Sequence, residues 1–391
     1  MKKELSVNHC DLYTMAWCFY IWHSSTTESS SPLSQVVLML CLLWSMYYMF
    51  YSICTLKLLR YFIGLNVLVI MFSIYGLFRL TGGSYTIPGG GNVDAFYSYK
   101  KACISLLPIY AFFYFAKKGL LDAGRLRLYS FVFLAITFMA YSAYFTKRFG
   151  VEIDADVEFT NNTGYMFLAL IPVVLFWRSK PVFFYSFMGI IAVMIIMCMK
   201  RGAILSGFFA LFIILFNDRP SFKGKRKIIS IFLTIALLAL IVVYVIHMVE
   251  NSEYFMYRYN STLEGEASSR EDMYPRYLNF ILDRADVLSL LFGVGFDGSL
   301  KHLGAYCHND WLEMSIDHGL LGLGCFIYYW VCFHQNTKMI KSEDCHLPIQ
   351  VILVITLCNS LYSFSISNMS IFVTCVLGFC LSKSKMFKTV S

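Results

Sequence analysis

The sequence predicts an all-α, polytopic integral membrane protein of about 11–12 transmembrane helices with one large external loop. Three observations predict it. Of 391 residues, 58% are hydrophobic and only 14% charged, against roughly a quarter charged in soluble chains. Apolar runs long enough to cross about 30 Å of hydrocarbon recur along nearly the whole length. Lys and Arg collect in every second connection, as expected when cationic loops stay in the cytoplasm. The net charge of +8 is therefore read as topology, and no nucleic-acid partner is expected.

In chain order the spans fall at 35–55, 61–80, 102–116, 129–146, 164–177, 181–199, 203–217, 228–247, 315–334, 347–366 and 370–382. A marginal twelfth lies near 10–23. No small-residue cleavage site follows its Leu12–Trp22 run, so it is read as retained. The alternate loops carry Lys57/Arg60, Lys117/Lys118/Arg125/Arg127, Arg178/Lys180, Arg219 to Lys227, Lys338/Lys341 and Lys383/Lys385/Lys388. Keeping Lys57 on the same side as the basic N-terminal residues requires an even number of crossings before it. The marginal run therefore spans or re-enters, and both ends are expected on the cytoplasmic side.

The opposite face has short connections except for 248–314, which holds eleven acidic and five basic residues. This stretch is the expected external domain, dividing the chain into N-terminal spans (1–247), an external loop (248–314) and C-terminal spans (315–391). Within it, Ser268–Leu282 reads as an amphipathic helix, with Tyr274, Tyr277, Leu278, Ile281 and Leu282 at near-helical spacing. Gly293, Gly295 and Gly298 make the lead towards His308 turn-rich. The thirteen cysteines show no paired spacing and read as small packing residues. Cys307 differs only in adjoining His308.

The residues able to do chemistry cluster in His308-Asn309-Asp310-Trp311-Leu312-Glu313. An imidazole near a membrane surface can be neutral and accept a proton, so His308 is the candidate general base. An interfacial His bonded to a loop carbonyl is the bland alternative. Asn309, Asp310 and Glu313 are candidates for orienting the ring or binding sugar hydroxyls. Gly319, Gly322 and Gly324 suit close helix packing, and Asp317 and His318 could extend the polar site or serve as a cap. Arg201, between two apolar spans, is a candidate anion clamp, because a guanidinium fork matches phosphate oxygens. Arg270 is a second. Arg276, Arg284 and Arg79 are weaker candidates.

Together the motifs resemble a known family. They are Arg201-Gly202-Ala203, Ser269-Arg270, Leu291-Phe292-Gly293-Val294-Gly295, His308-Asn309 leading into Leu312-Glu313, and Gly319-Leu320-Leu321-Gly322. Their order is similar to that in the O-antigen ligase and polymerase superfamily of bacterial polysaccharide assembly, over roughly residues 200–330. Met273-Tyr274 stands where that family usually has a Trp.

The resemblance implies a GT-C-like membrane glycosyltransferase of the bacterial inner membrane with a periplasmic active site. Its donor would be an undecaprenyl-pyrophosphate-linked oligosaccharide. His308 would be the base in an inverting transfer, Arg201 and Arg270 would hold the pyrophosphate, and Asn309, Asp310 and Glu313 would bind or orient substrate. No cofactor is implied, and no metal, since His302, His308 and His318 lack paired ligand spacing. Chain-length regulator and flippase proteins are the implied partners. The first reading is a repeat-unit polymerase for O-antigen, capsule or exopolysaccharide; a ligase transferring glycan to lipid A core is the near alternative. A lipid-linked sugar flippase would instead scatter charges through several spans, whereas here they gather at one face. A scaffold for an assembly complex is a further alternative.

Overall fold

The computed structural model describes residues 7–27, 31–56, 59–81, 85–86, 92–93, 97–149, 161–217, 270–283, 286–340, 342–362 and 370–384, with isolated positions between 217 and 270. The span expected at 228–247 lies almost wholly outside the described residues. The described part is helical apart from a two-residue antiparallel ladder pairing Tyr85 with Val93 and Thr86 with Asn92.

The first helix, α1 (His9–Thr26), begins at a capping box: Asn8 accepts from the Cys10 and Asp11 amides, and Asp11 accepts from the Asn8 amide. Asp11 also meets Arg125 at 3.2 Å and accepts the Tyr129 hydroxyl at 2.6 Å, which fastens this end to α6 (Ala123–Phe149). At its far end His23 Nδ1 lies 2.7 Å from Ser34 Oγ on α2 (Pro32–Thr55), so the two helices form a hairpin.

The distribution of polarity on α2 is inverted relative to a soluble helix. Ser34, Ser45 and Ser52 are fully buried, while Met39, Leu40, Leu43, Tyr47 and Phe50 are exposed. Water would penalise that arrangement and hydrocarbon does not. Ser45 bonds Tyr13 at 2.6 Å, so the serines join helices in place of water.

Four helical segments are long and apolar enough to cross a bilayer: Pro32–Thr55, Arg60–Arg79, Ala123–Tyr144 and Asp344–Tyr362. Thr163–Trp177, Pro181–Met197, Arg201–Ile214 and Ile371–Ser382 are shorter apolar helices. The run expected at 102–116 is two helices, α4 (Tyr97–Leu106) and α5 (Pro108–Lys117), because Pro108 cannot donate to the preceding turn. Pro172 similarly lies inside α7 (Thr163–Val174), which tightens into a 3-10 turn at Leu175–Trp177. Then come α8 (Pro181–Met197) and α9 (Arg201–Asn217).

The segment expected to be external supplies α10 (Arg270–Leu282) and the short α11 (Val287–Phe292), α12 (Gly298–Leu303) and α13 (Asp310–Asp317). It is followed by α14 (Gly319–Met339), α15 (Glu343–Tyr362) and α16 (Ile371–Ser382). The principal pairs are α5 with α16, α9 with α15, and α14 with α3 (Arg60–Thr81).

The α3–α14 pair defines the two ends of the molecule. Arg60 donates to Gln335 at 3.0 Å at one end, and Arg79 Nε lies 3.9 Å from Asp297 at the other. Nineteen helical steps separate those arginines, about 28 Å along the axis. Gly64 permits the close approach between, since a Cβ there would lie 2.9 Å from Cys332 Cβ.

Candidate functional site

The site is built on a backbone crossing. Gly293 (φ +70°) and Gly319 (φ +64°) lie against each other: a Cβ on Gly293 would sit 2.5 Å from the Asp317 carbonyl, and one on Gly319 2.5 Å from the Leu291 carbonyl. Val294 and Gly295 amides donate to the Ile316 and Asp317 carbonyls at 3.0 and 2.7 Å. The Tyr75 hydroxyl on α3 donates to Phe292 O at 2.6 Å and ties the crossing to the bundle. The two glycine motifs are thus two halves of one joint. Gly322 packs on His318 within its own turn, whereas Gly324 faces open space, so the small-residue face ends before it.

Four carboxylates converge beside this joint. Asp317 accepts the Asp297 and Ser299 amides at 3.0 and 3.2 Å, capping α12. Asp297, in the left-handed region at φ 62°, accepts hydroxyl protons from Ser98 on α4 and from Tyr306 at 2.9 Å. Glu313 accepts the Ser299 hydroxyl and, at 2.9 Å, the Cys307 amide. Asp310 is 4% exposed. Burial holds the Glu313 carboxyl above its usual range, with Asp297 adding repulsion. Burial likewise pushes the Cys307 thiol up, and Glu313 beside it acts in the same direction, so Cys307 is a protonated packing residue.

Asp310, Glu313 and Asp317 line a cavity of about 90 Å³ together with Ser98, Lys101 and Tyr306. Phe72, Phe296 and Met314 form its apolar wall. His318 completes it: its ring is 2% exposed, packs on Tyr75, Phe296 and Phe72 at centroid distances of 4.5, 4.7 and 5.4 Å, and its Nδ1 has no hydrogen-bond partner.

His308 does not line this cavity, although Tyr306 and Asp310, two residues to either side of it, do. His308 is partly buried and has φ 51°, uncommon outside glycine. Asn309 caps α13, accepting from the Trp311 and Leu312 amides, and its Nδ2 donates to Leu361 O on α15 at 3.3 Å. Two residues earlier in α15, Asn359 accepts the Ser206 hydroxyl of α9 at 3.0 Å. The last turns of α15 therefore hold both the His308 loop and α9, whose first residue is Arg201.

Arg270 is the first residue of α10, and its side chain lies outside the described residues. Two turns on, Tyr277 is buried against Cys307 and Ile316 and donates to Ala305 O at 2.9 Å, so α10 is fastened to the loop before His308. Among the described residues no three His, Cys, Asp or Glu side chains are grouped to hold a metal ion.

Residues 186–327, from α8 into α14, match a family model described as O-antigen ligase. Over that segment, 142 of the 391 residues, the chain is similar to the O-antigen ligase and polymerase superfamily. Members of that superfamily are glycosyltransferase-like enzymes of lipopolysaccharide biosynthesis. The matched segment contains Arg201, Arg270, the His308 loop and all four carboxylates. No curated protein matches the chain significantly.

Sequence reasoning passed over Asp297, Ser98, Lys101 and Tyr306. Asp297-Gly298 reads as an ordinary turn, and only the fold brings α4 to it. Asp317 and His318 were legible as a possible extension of the site, and the structure makes them its inner wall.

Proposed function

We propose that the chain is a polysaccharide repeat-unit polymerase. It joins undecaprenyl-pyrophosphate-linked oligosaccharides to one another on the periplasmic face of the bacterial inner membrane, without a metal and with inversion. The observation supporting this most is the union of the O-antigen ligase match with a single polar centre. The His308 loop, the start of α9 and the base of α10 all meet at the end of the bundle that carries Arg79 rather than Arg60. The positive-inside pattern supports a periplasmic position for that end and cytoplasmic termini.

In the reaction, His308 accepts the proton of an acceptor hydroxyl as that oxygen bonds to the anomeric carbon of the donor. The bond from that carbon to the phosphate oxygen breaks, and polyprenyl pyrophosphate leaves with the electron pair. Arg201 and Arg270 hold the pyrophosphate and stabilise the charge it gains. Asn309, as the α13 cap, sets the position of His308, while Asp310 and Glu313 form the wall beside the acceptor. Chain-length regulator and flippase proteins are the proposed neighbours in the pathway.

A deletion strain complemented with wild type or with His308→Ala tests this by its lipopolysaccharide or capsule banding. A single repeat unit on core in the deletion, unrestored by His308→Ala, is the expected result. Unmodified core with long chains retained on the carrier would mean a ligase, and an unchanged ladder would refute both.

A further inference from the structure

The short helix α11 buries none of its residues, although five of the six are large and apolar. Successive residues turn by about 100°, so Val287, Leu291, Leu288 and Phe292 share one arc, and they are 66, 41, 64 and 49% exposed. The opposite arc, Ser289 and Leu290, lies against Ile281 of α10 and Ile316 of α13. The helix therefore turns an apolar face outward, a pattern that water penalises.

Its place along α3 says what covers that face. The Tyr75 hydroxyl donates to Phe292 O at 2.6 Å, and Tyr75 lies within the span Arg60–Arg79. Fifteen helical steps from Arg60 put Tyr75 about 22 Å along an axis on which Arg79 stands at about 28 Å. Phe292 is thus one turn inside the level of Arg79, within the about 30 Å that hydrocarbon occupies. The end of α11 also presses on α14, where Leu320 and Leu321 are exposed in turn.

The polar groups of α11 are closed as hydrocarbon requires. Asp286 accepts the Leu288 and Ser289 amides and the Ser289 hydroxyl, Gly293 N donates to Ser289 O, and Phe292 O takes the Tyr75 proton. Four half-exposed side chains cannot supply the about 800 Å² per partner that a stable protein interface buries.

We infer that α11 is a membrane wedge: its outer face contacts the acyl chains of the leaflet on the side of the polar centre. It fixes the depth of the Gly293–Gly319 joint and so keeps the Asp297–Arg79 level at the lipid headgroups. The inference rests on the helical membrane bundle and is independent of the polymerase reading.

The test places the photo-reactive residue p-benzoylphenylalanine at Phe292 of the full chain, where it keeps an aromatic ring. The protein is irradiated in nanodiscs of phosphatidylethanolamine and phosphatidylglycerol, and in intact cells. The expected product is the chain plus the mass of one phospholipid, in both settings. The same probe at Leu288 gives the same product and decides the matter should the Phe292 variant fail to fold. At Lys301, exposed on α12, it gives none.

Absence of a lipid adduct at both α11 positions, equal lipid adducts at Lys301, or cross-links in cells to a second copy or to another protein in place of lipid would each overturn the wedge and leave the polymerase reading untouched.

Discussion

Gly293 and Gly319 show how much of the site one pair of residues can carry. Each has positive φ and each would drive a Cβ into the other strand's backbone at 2.5 Å. Either Gly→Ala change is expected to cost more than about 2 kcal/mol, because backbone cannot move aside as a side chain can. Gly324→Ala, in open space within α14, should be neutral or slightly stabilising. Melting temperatures of the solubilised chains distinguish these outcomes. Glu313 gives a pH signature. Its pKa is raised above the ordinary 4.5, so its stabilising contribution is complete below 4.5 and is lost as pH rises through the elevated value. Glu313→Gln should therefore flatten the pH dependence of stability above 4.5; an unaltered slope would assign the effect elsewhere. His308 and its neighbours were legible from sequence as a cluster of a base, an amide and carboxylates. Asp297 was not, because its partners Arg79 and Ser98 lie about two hundred residues away in the chain.

At the scale of elements, the amphipathic pattern over Ser268–Leu282 corresponds to α10, and Tyr277, one of the residues that predicted it, is the buried anchor. Tyr277→Phe keeps the ring and removes the bond to Ala305 O, worth about 1 kcal/mol. The expected result is faster hydrogen exchange in 304–309 with the bundle helices unchanged; uniform protection would show that packing alone holds α10. Helix breaks were less legible than helices. Pro108 signals its own interruption, but the break at His318 inside the apolar run from 315 to 334 depends on the left-handed Gly319, and hydropathy does not register backbone sign. The marginal first run is a full helix because polar contacts to α6 supplement its modest hydrophobicity.

Across the whole molecule, buried serines and exposed aliphatic side chains on α2 place lipid around the bundle, and charge separates its two ends. Lys301→Cys, exposed near the site, should react with a membrane-impermeant maleimide in intact cells. Lys338→Cys, near the Arg60 end, should react only after the inner membrane is opened. The reverse pattern would invert the proposed orientation. The helical membrane class was legible throughout the sequence because hydrocarbon imposes one requirement on every span, whereas the cavity arises where α3, α4 and the 296–318 segment meet and leaves no local signature. The most direct measurement is elongation by the purified chain, supplied only with the lipid-linked oligosaccharide from its deletion strain. Products longer by whole repeat units, with release of polyprenyl pyrophosphate by the wild type and none by His308→Ala, are predicted. Elongation by His308→Ala at the wild-type rate would contradict the account.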